Sequence, residues 1–134
     1  MAMWMGCSMT KKTYSIFAAL GAFIWGATVL LRGTALMDYP TIKHILWRTP
    51  NFATVWLGIG LVVILYPYIF KKEFNEAYTY FLIAAILLAQ FVSEVVHLWI
   101  DASFDIWDMV AGIAAAMILI FTRFCLQKRR NHAR

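Results

Sequence analysis

Charge is what this sequence has least of. Only 14% of its 134 residues are charged, against roughly 25% in soluble domains, so a water-facing surface of ordinary polarity cannot be built from it. Cysteine is nearly absent as well. Cys7 and Cys125 stand far apart, which excludes a disulfide framework, a Cys-x-x-Cys redox motif and a zinc ribbon. The glycines form no phosphate-cradling loop, and no serine stands with a histidine and an aspartate at a hydrolase spacing. There are no internal repeats and no low-complexity stretch, so residues 1–134 read as one domain.

What is present is hydrophobic, 63% of the chain, and it is gathered in runs. Residues 13–31 and 50–70 carry no charge. Both reach the roughly 20 residues, at ~1.5 Å each, that a helix needs to span a bilayer. The run at 77–93 reaches span length only by taking in Glu94 and His97. The run at 109–122 does so only with Asp108 near one interface and Arg123 snorkelling to the other. The expectation is an all-α integral membrane protein with four transmembrane helices, at about 13–31, 51–70, 77–99 and 105–124, in an antiparallel bundle. The first run follows Lys11 and Lys12 as a signal peptide would. It is longer than a usual signal h-region, however, and has only a weak small-residue site near Gly26 and Ala27, so it reads as an uncleaved anchor.

Basic residues set the expected orientation. Lys11 and Lys12 precede the first span, and Lys71 and Lys72 lie in the second loop. Arg123, Lys128, Arg129, Arg130 and Arg134 end the chain. The opposite side has only Arg32, Lys43 and Arg48. Both ends are therefore expected in the cytoplasm, and the net charge of +5 is a topology signal rather than a nucleic-acid footprint. Aromatic residues agree. Tyr14, Tyr66, Tyr68, Tyr78 and Tyr80 fall at the expected inner ends, and Trp47, Trp99 and Trp107 at the outer ends, as interfacial belts would.

The first outer loop has a pattern of its own. Asp38-Tyr39-Pro40 resembles a helix start, and Ile42, Ile45 and Leu46 recur at helical spacing with Lys43, His44 and Arg48 on other faces. This predicts a short helix lying in the interface plane, separate from the second span. Small residues at four-residue intervals, Ala18, Ala22 and Gly26, then Thr54 and Gly58, predict a close contact between the first two spans.

The residues that could carry chemistry cluster. Gln90, Ser93, Glu94, His97 and Asp101 share one face of the third span, and Asp105 and Asp108 open the fourth after a short turn. Acidic residues in a membrane are costly and usually face a bundle interior or a polar cavity. Three readings compete. One is an electrostatic lock in which the carboxylates pair with Arg32 and Arg48. A second is a recognition or active site for a polar headgroup at the outer leaflet. The third is a metal site on the Glu94-x-x-His97 spacing, which finds one such motif and no partner glutamate in the other spans.

The stretch from Glu94-Val95-Val96-His97 through Asp105-Ile106-Trp107-Asp108 to Gly112 resembles the last helical hairpin of VanZ-like membrane proteins. That family has Glu-x-x-Gln on its third span and paired aspartates opening its fourth. Glu94, Asp105 and Asp108 match. His97 stands for the Gln, the turn lacks the family's Arg, and Gly112 and Ala115 stand where Asn and Gly are usual. The segments Ser93-Glu94 and Asp105-Ile106-Trp107-Asp108-Met109 resemble YjdF-like membrane proteins about equally well. The resemblance implies a bacterial plasma-membrane protein of the cell envelope, linked to resistance to glycopeptides such as teicoplanin.

The expected function is accordingly the binding of a lipid or lipid-linked cell-wall precursor headgroup from the outer side. Arg32, Lys43 and Arg48 would meet its phosphate, and the acidic hairpin its sugar or amine groups. No cofactor is expected, and homo-oligomerisation would enlarge the small pocket that four spans allow. The alternatives are a small intramembrane enzyme using Glu94 or Asp108 as acid or base, with or without metal, and a subunit of an oligomeric transporter.

Overall fold

Long apolar stretches leave a helix as the way to satisfy every backbone N–H and C=O within one segment, and the chain takes that route four times. The computed structural model describes residue 9, residues 11–101 and residues 103–132. Cys7 and Arg134 lie outside the described residues. The helices are α1 (Lys11–Leu31), α2 (Pro40–Phe70), α3 (Tyr78–Asp101) and α4 (Ile106–His132), with a 3-10 turn at Ala35–Asp38 between the first two. All four contain stretches long and apolar enough to cross a membrane.

Pro40 opens α2 as the sequence suggests. The helix does not stop before 50, however, and the expected separate interfacial helix and second span are one element of 31 residues. At 1.5 Å per residue this is about 46 Å, longer than the ~30 Å hydrocarbon core of a bilayer. Pro50 lies inside it. A proline there has no N–H for the carbonyl four residues back, and its absence ordinarily breaks or bends a helix. The orphaned carbonyl is that of Leu46, itself 7% exposed. Arg32, just beyond α1, supplies the missing donors, with Nε at 3.1 Å and Nη2 at 2.8 Å from the Leu46 oxygen. Nη2 also reaches the Trp47 carbonyl at 3.0 Å, and the guanidinium stacks 4.5 Å from the Trp47 ring centre.

Helix α2 is the spine, touching α1, α3 and α4. Tyr14 and Phe17 fix which side of α1 faces it. The Tyr14 hydroxyl shares a 3.0 Å hydrogen bond with Thr79 of α3, and Phe17 meets Trp56 edge-on at 5.0 Å. Tyr14 is thus a core residue, 1% exposed, rather than a member of an interfacial belt. The same rotation moves the small-residue contact off the expected row. Ala18 is in it, but Ala22 and Thr54 are exposed, and a side chain at Gly26 would meet nothing within 4 Å. The close approach runs instead through Gly21, packed on the Ala53 carbonyl and the Leu57 nitrogen, and Gly60, packed on Ala18 and the Tyr14 carbonyl. Trp56 fastens α2 to α4 by donating its indole N–H to the Ala115 carbonyl at 2.9 Å.

At the end holding the α2–α3 loop, Lys11 meets Glu73 at 3.4 Å. Arg123 meets Glu76 at 3.4 Å while lying 4.9 Å from the Tyr80 ring centre. Arg123 thus pairs with Glu76 beside the α2–α3 loop, with both side chains largely buried.

Two stability measurements in detergent test this account. Gly60→Ala places a methyl against backbone and should cost about 1–3 kcal/mol, whereas Gly26→Ala should be neutral or slightly stabilising. Equal effects would contradict the close contact. Arg32→Met should cost about 1–3 kcal/mol by leaving the Leu46 carbonyl unsatisfied. In a Pro50→Ala background, where a backbone N–H returns, the same change should cost measurably less.

Candidate functional site: a mixed-charge pocket

The opposite end of the bundle is open. A pocket of about 480 Å³ lies where the first turns of α2 approach the α3–α4 turn. Lys43, His44, Trp47 and Arg48 line it from α2. Glu94 and His97 line it from α3, and Ser103, Asp105 and Asp108 close it from the turn and α4.

Asp105 organises this end by serving three helices at once. It stands immediately before α4, and its Oδ1 accepts the Trp107 N–H at 2.9 Å, an N-cap that satisfies one of the orphan donors of the helix start. Its own N–H donates to Glu94 Oε2 at 3.3 Å, tying α4 to α3. Its Oδ2 receives Arg48 Nη2 at 2.7 Å, tying both to α2. The Arg48 guanidinium is held from its other side by Nη1 donating to the His44 carbonyl at 2.9 Å. The pair is partly exposed, 22% for the Arg48 side chain and 41% for that of Asp105, so solvent weakens it below a fully buried ion pair.

Deeper in the bundle, Gln90 donates to the Asn51 carbonyl at 2.7 Å. Its Oε1 packs where a side chain on Gly112 would stand and accepts no hydrogen bond among the described residues. Glu94 is 6% exposed. Its Oε1 faces His97 Nδ1 at 3.8 Å, too long for a hydrogen bond. Asp108 Oδ1 is buried and accepts no hydrogen bond among the described residues. The polar groups that bear on Asp108 are Asp105, Glu94, Asn51 and Arg48.

The structure thus brings Glu94, His97, Asp105, Asp108, Lys43 and Arg48 to one cavity. Arg32 is not in its lining; its donors serve the Leu46 and Trp47 carbonyls. Ser93, expected on the polar face, is exposed. Asp101 closes α3 with its backbone, and its side chain lies outside what is described. His44, Trp47 and Asn51 were not among the candidates. The signal was present nonetheless: His44, Trp47, Arg48 and Asn51 recur at i, i+3, i+4 and i+7, one face of a helix that continues through Pro50. Among the described residues no group of three or more His, Cys, Asp or Glu is placed to hold a metal ion.

No family model, no curated protein and no solved structure matches this chain. What the pocket does must be read from its own geometry.

The double role of Asp105 separates two substitutions. Asp105→Asn keeps an oxygen for the cap and should lose only the partly exposed ion pair, about 1 kcal/mol or less. Asp105→Ala should cost about 1 kcal/mol more by removing the cap as well. Thermal unfolding of the two variants side by side measures the difference, and identical values would mean that the side chain caps nothing.

Proposed function

We propose that this is a multi-pass protein of the bacterial plasma membrane with both ends in the cytoplasm, and that its pocket binds a lipid or lipid-linked precursor headgroup at the outer leaflet. Membrane insertion is supported by how little of the apolar surface the bundle covers, since 28% or less of each span's most apolar window is buried. Phe23, Leu30, Phe81 and Trp99 are each at least 74% exposed. Bare in water, this would be a contiguous apolar patch far beyond what soluble monomers tolerate; against lipid it is an ordinary surface. The orientation rests on the basic residues gathered at the end where Lys11, Lys71 and Arg123 lie.

The observation that carries the functional reading is the mixed-charge pocket itself. It sits at the end of the bundle where headgroups would lie, with Lys43 exposed on its lining and carboxylates in its wall. A lysine is a point-charge partner for phosphate, and acidic oxygens accept from amine or hydroxyl groups. The resemblance of the α3–α4 hairpin to VanZ-like proteins adds a context, the cell wall, and a phenotype to read, glycopeptide tolerance.

A reporter fused after Arg134 should be active only if cytoplasmic and one inserted near Asp38 only if external; a periplasmic C-terminus would overturn the orientation. The full chain extracted in mild detergent should carry lipid detectable by native mass spectrometry. A Lys43→Gln variant should be depleted of it, and should lose any glycopeptide tolerance conferred on a sensitive host. Equal lipid in both would remove the pocket from consideration as a headgroup site.

A further inference from the structure

We propose that the pocket selects a headgroup that pairs a protonated primary amine with a phosphate, the phosphoethanolamine pattern, presented to it by a lipid; this rests on the headgroup reading above and names the chemistry it would take.

The charges on the lining of the pocket are unequally answered. Arg48 and Asp105 neutralise each other at 2.7 Å, and the second arm of the guanidinium is taken by the His44 carbonyl, which leaves the buried Arg48 Nε as a donor without a partner among the described residues. What remains on the lining is Glu94 and Asp108 against Lys43. Glu94 is more than nine-tenths buried, yet only its Oε2 receives a donor within hydrogen-bond reach, the Asp105 N–H. Its Oε1 meets His97 Nδ1 only at 3.8 Å. Asp108 Oδ1 is likewise buried with no hydrogen bond among the described residues. One buried carboxylate oxygen on the cavity, Asp108 Oδ1, therefore awaits a donor, and Glu94 Oε1 has His97 Nδ1 no nearer than 3.8 Å. An alkylammonium is all donor, with three N–H groups and no acceptor, and its charge offsets the like charges of Glu94 and Asp108. A purely anionic headgroup would instead bring a third negative charge beside them. Lys43, exposed on the same lining, is left for the phosphate. A quaternary ammonium carries the charge but no N–H, so it satisfies the electrostatics and not the hydrogen bonds.

The choice of a lipid over a free phosphoamine rests on the adjoining surface. A shallow groove of about 300 Å³, flanked by Ile45 and Trp107, shares His44 and Arg48 with the pocket. It is apolar where the pocket is charged, and gives an acyl chain a place to lie beside a seated headgroup.

The test is native mass spectrometry of the full chain in detergent, titrated with dioleoyl phosphatidylethanolamine, phosphatidylcholine and phosphatidylglycerol. Phosphatidylethanolamine should be retained about tenfold better than the other two, the scale of one charge-assisted hydrogen bond. Asp108→Asn and Glu94→Gln should each remove most of that preference, while Lys43→Gln should weaken phosphatidylethanolamine and phosphatidylcholine alike. If Glu94→Gln does not fold, judged by circular dichroism, Asp108→Asn and Lys43→Gln carry the test. Preference for phosphatidylglycerol, still dependent on Lys43, would overturn the amine inference and leave the headgroup reading standing. Equal retention of all three lipids, indifferent to Lys43→Gln and Asp108→Asn, would overturn both. Displacement of the lipid by soluble phosphoethanolamine at equal concentration would overturn the lipid assignment in favour of the free headgroup, and failure to displace it would support the lipid.

Discussion

One carbonyl oxygen governs the shape of this protein. Pro50 strips the Leu46 C=O of its helical partner, and the guanidinium of Arg32 replaces it from outside the helix. A helix that loses a hydrogen bond to an interior proline pays roughly 3 kcal/mol, and a buried carbonyl left bare adds to that. Two charge-assisted donors on the one oxygen offset much of this cost. The stacking of the same guanidinium on Trp47 fixes its plane. Because α2 continues, its first turns stand above the bundle with Lys43, His44, Trp47 and Arg48 turned toward α3 and α4. The pocket exists because the helix does not break.

The two ends of the bundle handle charge differently. At the α2–α3 loop, each acidic group meets a basic one: Glu73 meets Lys11, and Glu76 meets Arg123 with little exposure on either side. A space of about 70 Å³ lies there among the described residues, beside Tyr14 and Glu73. At the other end Arg48 and Asp105 consume each other, and the acids behind them outnumber the bases. A buried pair is weak support for stability unless its geometry and hydrogen bonds are good. The end at the α2–α3 loop reads as structural because its acids are each paired, and the open end as a place where something else completes the electrostatics.

How much of this was legible in the sequence follows from the range of the interactions involved. The four helices are legible because uncharged run length is a local property; three spans come out within a few residues of the observed apolar helices, and the second begins eleven residues earlier than expected. The break expected before residue 50 was not correctable locally, since the donor that prevents it lies on Arg32, a residue beyond α1. The small-residue rows were ambiguous because α1 and α2 carry small residues on more than one face. The choice was made by Tyr14 and Phe17, which must find Thr79 and Trp56 on other helices. The acidic hairpin was legible as a cluster. The three bonds of Asp105 were not, because an N-cap, a backbone donor and an ion pair converge on one residue only once the three helices are assembled.

The continuity of α2 through a proline has a mechanical consequence. The segment from Pro40 to Thr49 is a rigid arm of about 15 Å at helical rise, anchored at Pro50 by a joint whose stiffness comes from a side chain rather than from its own backbone. Changing the bend there by about 10° would carry the tip of the arm through about 2.6 Å, on the scale of a water molecule's diameter. Lys43 and His44 ride near that tip and Arg48 near the fulcrum. A change of bend there would widen the mouth of the pocket while hardly lengthening the Arg48–Asp105 tether.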